Sequence, residues 1–210
     1  MSLMHISRNF GKSGSALLIA IASFVLLFYS SVPAASERPR AGIGVLILRP
    51  AFTEQSDDLK ELVLYESPGI EQIAQVNADR LPSVSLSVAV PSGVYPVAVT
   101  GKRGEWFRLA YDDAGREAWI QGRRYWEFYR WTDFLPGRVV TLLPDLRAAF
   151  TEVHQEPLDS SPALGSISPG QKLRVVEIRE RWALIRSDDG ISGWVRWCDG
   201  NGKLVIFVEG

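Results

Sequence analysis

Two stretches decide the fold. The first is Val97-Ala98-Val99-Thr100, Gly101-Lys102-Arg103-Gly104, Trp106-Phe107-Arg108-Leu109, Asp112-Asp113-Ala114-Gly115, Ala118-Trp119-Ile120. The second is Leu173-Arg174-Val175-Val176, Arg179-Glu180-Arg181, Trp182-Ala183-Leu184-Ile185, Asp188-Asp189-Gly190, Gly193-Trp194-Val195. Each reads as strand, short polar turn, Trp-x-x-aliphatic, Asp-Asp turn, small-Trp-aliphatic. Their apolar residues alternate with polar ones, as half-buried antiparallel strands require. Asp and Gly suit the turns, because Asp bonds to nearby backbone amides and Gly accepts a positive φ. The chain repeats itself.

Upstream, Leu64-Tyr65-Glu66-Ser67-Pro68 corresponds to Val153-His154-Gln155-Glu156-Pro157, and the first copy carries about 13 extra residues, placed between Gly69 and Pro91. Val45-Leu46-Ile47-Leu48 before Pro50 is a fainter echo of Val140-Thr141-Leu142-Leu143 before Pro144. Short strands, tight turns and no amphipathic helix predict an all-β chain folded as two tandem small barrels, which hide their sheet edges by closing. Only Asp58 to Leu64 offers a turn or two of helix.

The second copy resembles the bacterial SH3 domain over about Ala149 to Val195. The residues that carry the resemblance, in order, are Glu156-Pro157, Ser160 to Ile167, Pro169 to Val175, Trp182 to Ile185 and Gly190 to Val195. The first copy is a weaker match: it keeps the Trp106 and Trp119 segment, lacks the Ser-Ser-Pro stretch and carries the long loop. The resemblance implies a five-stranded barrel whose surface groove binds peptides, commonly those of the cell wall in exported members. With the repeat and the leader pattern, the expected fold is two tandem small SH3-like β-barrels after an N-terminal signal helix. Many members instead flank enzymes or space domains apart, so fold analogy alone does not establish a ligand.

The organisation expected is a leader over 1–34, a linker over 35–43, a divergent SH3-like domain with its loop insertion and aromatic connector over 44–135, and a bacterial SH3-like domain over 136–210. The leader has Arg8 and Lys12 before the apolar run Ala16 to Tyr29, then Val32-Pro33-Ala34, the layout of a secretory signal cut after Ala34. An uncut anchor in the inner membrane is the alternative, and it would be the chain's one membrane contact. Export to the periplasm follows from either. Cutting removes two of the 23 basic residues against 24 acidic ones, moving the balance from -1 to about -3. That argues against a nucleic-acid partner, which a basic face would mark.

Catalytic constellations are thin. His154 is the only histidine after the leader and Cys198 the only cysteine. One of each cannot supply a zinc site, and nothing near Cys198 points to an activated thiol. Asp199-Gly200-Asn201-Gly202-Lys203 reads as a hairpin turn and not a calcium loop, because Lys203 falls where an oxygen ligand is needed. Asp112-Asp113 sits in a turn, away from any cleft that glycoside chemistry would use. The expectation is therefore a non-catalytic binding or scaffold protein without cofactor or metal. Its partner would be a peptide, peptidoglycan or an envelope protein. A cell-wall hydrolase-associated protein and a spacer held at the inner membrane are the alternatives.

Candidate ligand-binding residues are aromatic. Trp106 and Trp182, with Tyr65, could form peptide platforms or pack the barrel rim. Trp119 and Trp194, each between a small and an aliphatic residue, read as strand residues entering a core. The run Arg123 to Phe134 holds Tyr125, Trp126, Tyr129 and Trp131 and is the densest aromatic stretch in the chain. Guanidinium and ring groups in alternation could stack on a ligand. Its place between two barrels favours packing of the joint.

Overall fold

The computed structural model describes residues 38–51, 59, 61–85 and 87–209. The leader over 1–34 and the first three residues of the expected linker lie outside the described residues. No helix among the described residues is long and apolar enough to cross a membrane.

Strands dominate, as expected. The first half contains β1 (Gly44–Leu48), β2 (Leu62–Tyr65), β3 (Gln72–Val76), β4 (Tyr95–Val99), β5 (Gly101–Arg103), β6 (Trp106–Ala110), β7 (Glu117–Gln121) and β8 (Glu127–Arg130). The second half contains β9 (Val139–Leu142), β10 (Glu152–His154), β11 (Ala163–Ser166), β12 (Leu173–Arg179), β13 (Trp182–Ser187), β14 (Ser192–Arg196) and β15 (Ile206–Val208). Leu62, Val63 and Leu64 lie in strand β2 and not in the helical turn expected there. Their alternating burial against β3 and β7 outweighs the weak local helical preference.

The pairing scheme occurs twice, and every pair is antiparallel. In the first half β1 lies between β4 and β8, β2 joins β3 to β7, and β6 joins β5 to β7. In the second half β9 lies between β12 and β15, β10 joins β11 to β14, and β13 joins β12 to β14. The two schemes coincide once β4 and β5 are taken together as the counterpart of β12. The chain breaks at Thr100 between β4 and β5, which divides the first half into a three-stranded and a five-stranded sheet. Strand β12 passes the same point with a bulge between Val175 and Glu177, so its sheet stays continuous over seven strands. A bulge bends a strand without ending its pairing.

Side-chain alternation builds a core inside each half. Phe107 and Leu109 of β6 are buried while Arg108 between them is exposed. Leu173 and Val175 of β12 are buried around an exposed Arg174. The turn glycines Gly115 and Gly190 have φ of 76° and 87°, the left-handed region that Gly enters without strain. Gly193 is small for a different reason: a Cβ there would lie 2.5 Å from Val153 Cγ1 and 2.8 Å from the His154 carbonyl oxygen on β10.

Strand β1 departs from the alternating pattern: all five of its residues are buried. Leu46 and Leu48 belong to the core of the first barrel, with Leu64, Leu109 and Ile120. Val45 and Ile47 belong to the core of the second, with Leu173, Ile185 and Val195. One strand is thus a wall of both cores, and a strand buried on two faces reads as an unbroken apolar run. The two barrels therefore share a wall.

Three further segments cross between the halves. Residues 38–43, expected as linker, are anchored instead. Pro39 accepts a bond from the Leu204 amide at 2.9 Å, the Ala41 amide donates to Gly202 at 2.8 Å, and Ala41 is buried in the second core. The insertion of the first copy reaches the edge strand β15. There the Val208 amide donates to Ser87 at 2.7 Å, and the Ala89 amide to Val208 at 3.0 Å. Val84 and Val88 are buried in the second core. Covering β15 removes an edge that would otherwise expose unpaired amides. The third segment is the connector, whose single helical turn Trp131–Phe134 places Trp131 and Phe134 in that same core.

Candidate functional site

The pairing ladders bring the same kinds of residue together in each half. Tyr65 on β2 stands opposite Trp119 on β7, and its ring meets Trp106 edge-on at 5.1 Å and 87°. His154 on β10 stands opposite Trp194 on β14, and its ring meets Trp182 at 5.2 Å and 74°. Arg103 and Arg179 occupy matching positions, each opposite the first tryptophan of its hairpin. Their guanidinium groups lie 5.5 Å above the Trp119 ring and 5.1 Å above the Trp194 ring. These cation–π covers hold Trp119 and Trp194 against their sheets.

Tyr65 lines a cleft in the first barrel, and Arg196, which covers Trp182, lines one in the second. The cleft of the first barrel, about 260 Å³, is lined by Leu62, Val63, Tyr65, Ile120, Gln121, Gly122, Arg123 and Trp126. That of the second, about 340 Å³, is lined by Arg147, Ala149, Phe150, Asp159, Arg181, Arg196 and Gly200. They occupy related places. Gln121 pairs with Trp106 in the first ladder, and Arg196 pairs with Trp182 in the second. At this matched position a neutral side chain of the first cleft is replaced by a cationic one in the second.

The seven aromatic candidates divide by exposure. Tyr65, Trp106, Tyr125 and Tyr129 are half-buried, so part of each ring meets solvent. Of these, Tyr65 lines a cleft, while the Tyr129 hydroxyl donates to Glu127 at 2.8 Å. Trp182 is buried beneath Arg196, whose guanidinium lies 4.4 Å from the ring centre. Trp126 is a core residue of the first barrel, with its Nε1 donating to Arg49 at 3.1 Å, and only its edge reaches the cleft. Trp131 is 3% exposed and donates from Nε1 to Ala41 at 2.7 Å, so it packs the joint and offers no ligand surface. Arg196 covers the Trp182 ring, and Phe134 and Trp197 pack on that of Trp131, the packing role weighed for both from the sequence.

Sequence reasoning missed the arginines of the second cleft. Arg147, Arg181 and Arg196 come from three separate elements, and their spacing along the chain carries no period. The one available signal was Arg196 standing where the first copy has Gln121.

His154 is buried, with Nδ1 3.0 Å from the Ser161 carbonyl oxygen. Cys198 is buried as well, and burial pushes its thiol up to about 11, so the thiol is protonated at neutral pH. Among the described residues no cluster of His, Cys, Asp or Glu has the spacing of a metal site. In the expected hairpin turn, Asp199 Oδ1 accepts from the Asn201 and Lys203 amides at 2.9 and 3.0 Å, while Oδ2 meets Arg38 at 2.9 Å. Burial pushes the Asp199 carboxyl up. The Lys203 and Asn201 amides and the Arg38 guanidinium outweigh that and hold its pKa below 3.8.

A carboxyl depressed on folding contributes stability that is whole above its unfolded pKa and is lost as pH falls below it. Wild-type melting temperature is therefore expected to drop more steeply than that of Asp199→Asn as pH falls below about 4. At pH 7 the variant should be less stable by about 1.5–3 kcal/mol, the range for bonds to a charged group. Parallel thermal melts of the two proteins at pH 7 and at a series of acidic pH values check both statements.

The fold is thus two small all-β barrels, each with a surface cleft. Residues 149–198 match the family model of the bacterial SH3 domain. That match begins just before β10, ends just after β14 and covers under a quarter of the chain, so it shows that this segment of the second barrel is similar to the bacterial SH3 domain. A comparison with curated proteins finds none that matches the chain.

Proposed function

We propose that this protein is an exported, non-catalytic binding module whose two barrels are tandem SH3-like copies, the first divergent, and that it holds peptide segments of the cell wall or of an envelope protein. The observation that carries the reading is the half-buried, edge-on pair of Tyr65 with Trp106, whose tyrosine lines the cleft of the first barrel. A rigid flat ring gives contact area at little entropic cost. The signal-like pattern of residues 1–34 supports export, and a near-neutral balance of charge fits a partner other than nucleic acid. Two modest clefts on one rigid unit would add their affinities through avidity if both engage one target.

Purified cell-wall sacculi should retain the full protein, and Tyr65→Ala should weaken that retention roughly tenfold while leaving the melting temperature near the wild-type value. Protein recovered from the periplasm should have the mass of a chain starting at Ala35. Absence of retention on both sacculi and a column of periplasmic proteins, by protein that melts cooperatively, would end the proposal.

A further inference from the structure

The second cleft is strongly cationic in a chain that is not. Three of its seven lining residues are arginines, against one carboxylate, Asp159. Arg147 and Arg181 are exposed, and Arg147 leans over the Phe150 ring at 5.7 Å. Arg196 is different, since 13% of its side chain is exposed and it rests on Trp182. That packing fixes its guanidinium in one place. Asp159, whose side chain is 75% exposed, reaches Arg196 with Oδ1 alone. A fourth guanidinium, Arg38, lies 5.9 Å from the Phe150 ring centre but is held by Asp199. The apolar part of the cleft is Phe150 and Ala149.

Arginine binds a carboxylate through two parallel N–H donors, and a guanidinium already immobilised by packing loses less entropy in doing so. Asp159 is a poor competitor because an exposed side chain on a surface loop forms a weak ion pair. The cleft volume suits a fragment of a few residues, at the low end of ligand pockets.

We infer that this cleft is a recognition site for the terminal carboxylate of a short peptide, with Arg196 and Arg181 on the carboxylate and the last side chain, a small apolar one, against the exposed Ala149. The inference rests on the second barrel acting as a binding module and adds the chemical class of its ligand. Asp159 is then an internal stand-in for that carboxylate, displaced when the peptide arrives.

The test uses the full chain, labelled with nitrogen-15, titrated with N-acetyl-alanyl-alanine as the free acid, the same peptide as the C-terminal amide, and inorganic phosphate. The acid should shift the Trp182 indole and Arg196 Nε–H resonances, and the amide should bind at least tenfold more weakly. Arg181→Gln, an exposed change, should lower affinity for the acid about tenfold, and Arg196→Gln should do so at least as strongly. Asp159→Asn should raise it about threefold, an effect that a purely structural Asp159 would not produce. Equal binding of acid and amide, phosphate binding as tight as the peptide, or unchanged affinity in Arg181→Gln and Asp159→Asn would each overturn the inference. Because these readouts concern one cleft and a soluble peptide, they fail or succeed independently of retention on sacculi through Tyr65.

Discussion

Truncating Leu46 or Ile47 to alanine is expected to lower one and the same unfolding transition, although the two side chains enter different cores. Leu46 is fully buried in the first barrel, and Ile47, 5% exposed, is buried in the second. Each change removes a buried aliphatic group and leaves a cavity, at a cost of about 2–5 kcal/mol. In two independent barrels, each loss would stay in its own domain. Here both residues belong to β1, which pairs with β4 and β8 of the first half while its other face walls the second core. Loss of β1 opens both cores, so the free energy is shared.

Amide hydrogen exchange reads this directly. Leu46→Ala should reduce the protection of β6 amides in the first barrel and of β13 amides in the second by the same free energy. If β13 kept its wild-type protection while β6 lost its own, the halves would unfold separately and the shared wall would carry no coupling.

The second large effect is expected at Trp131. Its ring lies 5.7 Å from Trp197 and 5.8 Å from Phe134, and its Nε1–H is bonded to the Ala41 carbonyl. Three segments therefore meet on one side chain: the connector, the anchored N-terminal stretch and the strand end after β14. Trp131→Ala should cost about 3–5 kcal/mol, the range for removing a large buried aromatic residue. For a chain of this size that corresponds to a fall of roughly 6–20 °C in melting temperature. Trp131→Phe keeps most of the packing but orphans the Ala41 carbonyl, so it should cost less, about 1–3 kcal/mol. Arg130→Ala, an exposed change one residue earlier, should stay within about 0.5 kcal/mol. Thermal melts of the three variants check the order. A Trp131→Ala protein as stable as Arg130→Ala would remove the connector from the joint.

The same residues mark how far the sequence could be read. Trp106, Trp119, Trp182 and Trp194 lie in hairpins whose alternation, turn chemistry and spacing are local properties, and the strands formed where those patterns stand. The match of Tyr65 to His154 is local too, and the two rings take equivalent places. The connector was harder to read. An aromatic run carries the same hydrophobic signal whether it faces a ligand or a neighbouring barrel, so Trp131 and Tyr125 look alike in sequence and differ in burial. The arginines of the second cleft were invisible because no periodicity links Arg147, Arg181 and Arg196.

Taken alone, the order of residues determined the all-β class, the doubled Trp-containing hairpin and the SH3-like character of the second half, since each depends on contacts between near neighbours along the chain. Only the three-dimensional arrangement decided that β1 serves two cores, that residues 38–43 and the Val84–Val88 stretch bind the far barrel, and that three arginines converge beside Phe150. Most of those contacts join segments more than thirty residues apart. Whether such segments meet depends on how two packed sheets bury each other's remaining apolar faces, which no local pattern encodes.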